Sequence, residues 1–183
     1  MHRFARQIGL VCTIAIAIMG ACTVRSVADA SLEYRVKAAF LYNFAKFVTW
    51  PAQAFSGSDT PVVFCVAGED PFQELLDSTT KQRKVEGRQI EIRRLTADAP
   101  LAGCHLVFSS ETDGARVAHV LQRATSAGAL TVGEADDFLP RGGMIRLIVD
   151  EGKVRFDIST RSAERAGLKV SSQLLKLART VER

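Results

Sequence analysis

Signatures of catalysis and cofactor binding are what this chain of 183 residues has least of. No Gly-Lys-Ser/Thr follows a glycine-rich loop, and Gly68 stands alone where a phosphate would need several glycines to let the backbone wrap it. No serine lies in a nucleophile elbow, since Ser171 and Ser172 precede a helical stretch instead. Histidine is scarce, and neither His105 nor His119 has the spacing of a zinc site. Lys and Arg form no dense cluster interleaved with aromatics, so nucleic acid has no support as a partner. There is no internal repeat and no low-complexity tract. An enzyme needs a base, a nucleophile or a metal brought together. None is assembled in this sequence, which therefore reads as non-catalytic, with no cofactor and no metal.

Long apolar runs are also missing, with one exception. Residues 8–22 are apolar, follow His2, Arg3 and Arg6, and are too short for a comfortable membrane span. Ala28-Asp29-Ala30 then places small residues at both positions that a signal peptidase reads. The expectation is a cleaved export signal over residues 1–30 and one domain over 31–183. A rival stays open: Met19-Gly20-Ala21-Cys22 loosely resembles a lipobox, which would put lipid on Cys22 and tether the protein to a membrane, although Met and Gly fit that motif poorly. Cleavage would remove three basic residues and one acidic residue, lowering the net charge from +4 to about +2. Only Cys65 and Cys104 would then remain. Two cysteines in an oxidising compartment invite a disulfide, with a pair of buried free thiols as the alternative.

What is present is a regular alternation of helical and strand-like segments. Residues 32–48 read as an amphipathic helix with Leu32, Val36, Ala39, Phe40, Asn43 and Phe47 inward and the pair Glu33–Lys37 on the solvated side. Short apolar strands follow near residues 61–66, 89–95, 104–108 and 129–132. Asp70-Pro71 marks a helix start, and a further helix turns Val117, Val120, Leu121 and Ala124 inward. Residues 142–178 are the centre of the pattern. Glu151-Gly152 is a hairpin turn that sets Val149 against Val154, Leu147 against Phe156, Ile145 against Ile158 and Arg146 against Asp157. Gly167 ends one short helix, Ser171 or Ser172 caps the next, and Leu174, Leu175, Leu177 and Ala178 give that last helix its apolar face. The fold class is α/β: a mostly parallel sheet flanked by helices on both faces and closed by an antiparallel edge hairpin.

Ligands of such sheets sit beyond the carboxyl ends of the strands. Those ends carry Glu69, Ser110 and Glu134 as a candidate crevice, with neighbouring acids that could hold a cation or merely cap helices and turns. Aromatics are dense over residues 40–50. Phe40 and Phe47 are assigned to the core, whereas Phe44 and Trp50 are candidates for an exposed patch that binds a partner.

Four blocks then carry a resemblance. They are EYRVKAAFLYNFAKFVTWP from Glu33, Phe64-Cys65-Val66 with Gly68 and Asp70-Pro71-Phe72, residues 104–108, and residues 142–178 with GGMI, VRFDI and AGLKVSSQLLKLA. Together they resemble the YfiR-like family of exported bacterial proteins over nearly the whole of residues 31–183. The resemblance implies an α/β, dimeric, periplasmic regulator rather than an enzyme. Its expected partner is the periplasmic region of an inner-membrane diguanylate cyclase, held inactive by contact, so that cyclic-di-GMP and biofilm formation rise when repression fails. A sensor kinase or outer-membrane receptor is the alternative, with the chain as a periplasmic solute-binding or sensing protein. Cys65 and Cys104 match the family's first cysteine pair, and Leu139 and Arg146 stand where some members carry a second. The resemblance supplies no catalytic residue, cofactor or nucleic-acid partner, and membrane contact comes only through the partner unless Cys22 is lipidated.

Overall fold

The computed structural model describes residues 27–183, so the export-signal segment up to residue 26, its apolar run and Cys22 lie outside the described residues. The first half of the chain runs α1 (Val27–Phe47), β1 (Val48–Thr49), a 3-10 turn (Ala52–Ala54), β2 (Val62–Ala67), α2 (Glu74–Thr80), β3 (Lys84–Val85) and β4 (Arg88–Leu95). The second half runs β5 (Leu106–Ser109), α3 (Gly114–Ser126), β6 (Leu130–Gly133), β7 (Ile145–Asp150), β8 (Lys153–Ser159), α4 (Thr160–Arg165), β9 (Lys169–Val170), α5 (Ser172–Leu177) and β10 (Thr180–Glu182). Among the described residues, no helix is long and apolar enough to cross a membrane.

Eight strands form one sheet in the order β10-β8-β7-β6-β5-β2-β4-β3, and β1 pairs with β9 in a separate two-stranded ribbon. From β7 through β4 the neighbours are parallel. β2 is buried along its whole length, as a central parallel strand covered on both faces must be. Its side chains alternate between two cores. Val62, Phe64 and Val66 meet α1, α5 and Phe108 on one face, whereas Val63, Cys65 and Ala67 meet Val120 and Ala124 of α3 on the other.

The closing hairpin has the register that its sequence dictates. Val149 faces Val154, Leu147 faces Phe156, Ile145 faces Ile158 and Arg146 faces Asp157. The turn residues Glu151 and Gly152 both have positive φ, at 49° and 73°, as a two-residue turn matched to strand twist requires. The hairpin closes the run of parallel strands, and β10 adds itself outside β8 in parallel register, with Thr180 opposite Asp157. Arg179 Nε and Nη2 donate to Asp157 at 2.9 and 2.7 Å, and Arg146 donates at 3.1 Å, so one buried carboxylate ties three strands together. Burial alone would raise the Asp157 carboxyl, but Arg179 and Arg146 hold it below its ordinary range.

Three expectations are corrected, the last being that the charged residues 81–87 form a solvated loop. The inward face of α1 is Ala38, Leu41, Phe44 and Ala45, continued by Val48 of β1, with Lys37 beside it, whereas Leu32, Val36 and Asn43 are exposed. Apolar residues nearly encircle this helix, so spacing alone admits more than one face. Asp70 does not begin a helix at Pro71. Its Oδ1 accepts from the Phe72 N–H at 2.8 Å and its Oδ2 from Arg94 Nε at 2.6 Å, so it closes a turn and anchors β4 before α2 starts at Glu74. The connector over residues 81–87 is not wholly solvated, because Val85 in β3 is buried against the core.

Candidate functional site

The order of strands reverses between β2 and β5, since the chain leaves β2 for β4 on one side and returns to β5 on the other. That is where a crevice opens beyond the strand ends of an α/β sheet. Glu69 and Ser110 meet there: Ser110 Oγ donates to the Glu69 carbonyl at 2.7 Å. Gly68 makes the approach possible. Its φ is +95°, and a Cβ would lie 2.9 Å from Glu111 Oε1 and 3.1 Å from Ser110 Oγ. Glu134, after β6, turns towards α1 instead and pairs with Lys37 while accepting from Tyr34 OH at 3.1 Å.

Lys37 was expected on a solvated face. It is buried between Glu33 and Glu134, with its ammonium 4.4 Å from the centre of the Tyr34 ring. A buried lysine persists when carboxylates and a ring face replace its water. The pair was legible as Glu33–Lys37 spacing. Glu134, a hundred residues further on, gave no local signal. Among the described residues no three His, Cys, Asp or Glu converge in a way that could hold a metal ion.

Phe44 and Trp50 do not form an exposed patch. Phe44 is fully buried against Phe156 and Phe40, and Trp50 is 5% exposed, with its indole N–H donating to the His105 carbonyl at 3.0 Å. Aromatics this dense on one helix fill the space between helix and sheet, and a buried indole keeps a hydrogen-bond partner. The large apolar side chains that do reach solvent are elsewhere: Leu177, expected on the apolar face of the last helix, is 69% exposed at the end of α5, and three others lie together. Leu32 is 59% exposed, Val36 37% and Val149 41%. With Phe40, Gly152, Lys153 and Val154 they line a mostly apolar groove of about 670 Å³ between α1 and the hairpin. The sequence signal for this groove was Leu32 and Val36 at i and i+4, which were read as core.

Cys65 and Cys104 form a disulfide, with Cα atoms 5.9 Å apart, that joins β2 to the start of β5 beneath α3. Where a second bridge stands in some relatives, Leu139 packs with Val117, Leu121 and Phe138, and Arg146 donates to the Asp136 carbonyl at 2.8 Å. His105, next to Cys104, is not at an edge but buried between β2 and β6. Its backbone N–H donates to Val63 O and its carbonyl accepts from Leu130 N–H. Burial holds the ring below its ordinary pKa, and Arg88 and Arg93 lower it further, against a partial rise from the bond to Ala54. His119 is exposed on α3.

A family model described as YfiR/HmsC-like matches residues 34–179, from within α1 through the end of α5. No curated protein matches the chain. A crystal structure of a conserved domain protein from Vibrio cholerae superposes with a TM-score of 0.51 at 16% identity, over 66% of this chain and 54% of that one. This chain therefore spans about half the length of that protein, and the likeness shows the fold alone. The ABC domain of a protein from Streptococcus pneumonia, in complex with L-Trp, is similar at a TM-score of 0.48 and 10% identity, over 84% of this chain and 60% of that one.

Proposed function

The chain belongs to the YfiR/HmsC-like family of periplasmic, non-catalytic regulators, and from that premise we propose that it holds an inner-membrane signalling enzyme inactive by contact with that enzyme's periplasmic sensor region. The enzyme we favour is a diguanylate cyclase, which makes the protein a negative regulator of cyclic-di-GMP and biofilm formation, acting after export and cleavage of residues 1–30. The observation that carries a contact role is the exposed apolar surface of Leu32, Val36 and Val149. Apolar side chains clustered in water mark surfaces that pair with another protein. The strand-end crevice supports contact less well, because Glu134 is engaged by Lys37 and Tyr34.

The test measures cyclic-di-GMP in a strain deleted for this gene and complemented in turn with the natural chain and with a Val36→Asp, Val149→Asp double variant. Deletion raises the nucleotide, the natural chain restores it, and the variant leaves it high although its melting temperature is unchanged. Full repression by the variant would remove the groove from the contact. No rise on deletion would remove the cyclase as partner.

A second reading is favoured by the groove's size, which falls in the range of small-molecule sites. The protein would then sense an apolar solute and pass the signal to a sensor kinase or receptor. Such a solute would raise the melting temperature of the natural chain and not that of the double variant.

A further inference from the structure

Residues 51–61 form a strap that runs outside the sheet from Trp50 to the start of β2. Most of it is exposed, and no strand pairing holds it. Two side chains fasten it. Arg88 Nη1 donates to the carbonyls of Gly57, Ser58 and Thr60 at 2.7, 2.8 and 2.9 Å, and its guanidinium lies 4.0 Å from the centre of the Phe55 ring. His105 supplies the other attachment. Its ring stacks on Phe55 at 4.5 Å with an interplanar angle of 11°, stands edge-on to Trp50, and joins Nε2 to the Ala54 carbonyl at 3.0 Å.

The tautomer of that ring is dictated by its neighbours. The Val63 N–H donates to Nδ1 at 3.0 Å, so Nδ1 carries no proton and Nε2–H is the donor to Ala54. The imidazole is thus a bridge. One nitrogen completes the backbone pairing of β2, and the other holds the strap. A second proton has no place in this arrangement, because Nδ1–H would point at the Val63 N–H, donor against donor. The resulting cation would be buried and face Arg88 and Arg93 of β4. The strap brings no compensating acid to the ring. Its single carboxylate, Asp59, accepts from Ser58 Oγ, and on the β5 side Cys104 is held in the disulfide and does not titrate.

We propose that His105 is an acid-operated latch: protonation of its ring frees the first half of the strap, residues 51–56, and uncovers Trp50, while Arg88 keeps its hold on residues 57–60 and the sheet beneath, pinned by the Cys65–Cys104 bridge, stays folded. The thermodynamic sign follows from the latch being closed only when neutral. The closed ring binds its proton more weakly than the ordinary histidine value of 6.5, and the released ring, in water, binds it normally. Opening therefore takes up a proton. The closed form prevails above 6.5 and gives way as the pH falls below it. An exported regulator built this way would present a different surface in an acidified periplasm.

Trp50 is the only tryptophan in the chain and reports the event directly. Its emission is followed from about pH 7 to about pH 4, together with far-ultraviolet circular dichroism and NMR titration of the histidine rings. One emission step is expected, below 6.5, with the midpoint of the His105 ring and with helix content unchanged. His105→Asn, whose side-chain oxygen can accept from Val63 without titrating, should abolish it. A natural chain with no step, a step that follows His119 instead, a step in the Asn variant, or loss of helix at the same midpoint would each overturn the latch. Should the Asn variant fail to fold, hydrogen exchange of the natural chain decides. Corrected for intrinsic rates, amides in the first half of the strap must lose protection across the step while α3 amides keep theirs, and equal loss in both refutes the proposal.

Discussion

α1 and α3 cover opposite faces of one sheet with opposite economy. α3 carries a single apolar stripe of Val117, Val120, Leu121 and Ala124, buries all of it, and shows only polar or small side chains to water. Its start is fixed by Asp113, whose carboxylate accepts from the N–H groups of Ala115 and Arg116 at 3.1 Å. α1 buries Ala38, Leu41, Phe44 and Ala45 and still has Leu32 and Val36 left over, exposed. It also holds Lys37 in the dry layer with two carboxylates. A helix that serves only the fold resembles α3. One with more apolar surface than the fold can cover has a second task, and α1 borders the groove proposed for contact.

That contrast can be broken at several points. Phe44→Ala should cost about 3–5 kcal/mol of unfolding free energy in a denaturant titration, because a fully buried ring leaves a cavity. A loss under about 1 kcal/mol would mean that α1 does not pack on this face. Lys37→Ala should cost about 3 kcal/mol, since it strands Glu134 in a poorly solvated place. Adding Glu134→Ala should return part of that, and strict additivity would show the pair to be uncoupled. Reducing the Cys65–Cys104 bridge should cost about 2–4 kcal/mol. Its signature in hydrogen exchange is regional: α3, which packs on the bridge, should lose protection before α1 does. Asp113→Ala should remove about 1 kcal/mol from α3 with no effect on the contact function. Val36→Asp should change stability by no more than about 0.5 kcal/mol yet weaken partner binding. Equal binding by the natural and Val36→Asp chains would leave α1 no different in kind from α3.

How far the sequence could be read depended on whether a residue's partner was near it. The hairpin was legible pair by pair, because alternation with period two and one turn leave a single register once one face is apolar. α3 was legible because its stripe is narrow. α1 was legible as a helix but not in its orientation, since a nearly encircling apolar surface fits several rotations. Trp50 and Phe44 looked available for contact only while their partners, His105 O and Phe156, were unknown. At the candidate site, Glu69 and Ser110 lie within one hydrogen bond of each other, as the switch point implied by the order of elements predicts, whereas their use as a ligand crevice is a separate matter. The pairing of Glu134 with Lys37 and that of β1 with β9 depend on contacts far apart in the chain, and the two- or three-residue strands β1, β9 and β10 carry no periodic signal.

The ribbon of β1 and β9 joins Val48 to Val170 and Thr49 to Lys169, and α1 leans on Phe156 of β8 and on α5 as well. The helix at the front of the described chain rests on α2 and takes further support from β8, β9 and α5, more than a hundred residues later. Contacts so distant in sequence must await closure of a very long loop, which makes them late and slow. A chain threaded N-terminus first through a membrane would hold α1 without that distant support until β8, β9 and α5 had crossed. Such an interval is the kind in which exposed apolar helices are captured by chaperones. Truncation before Lys169 should therefore prolong it indefinitely, yielding a species that is made and delivered but never matures.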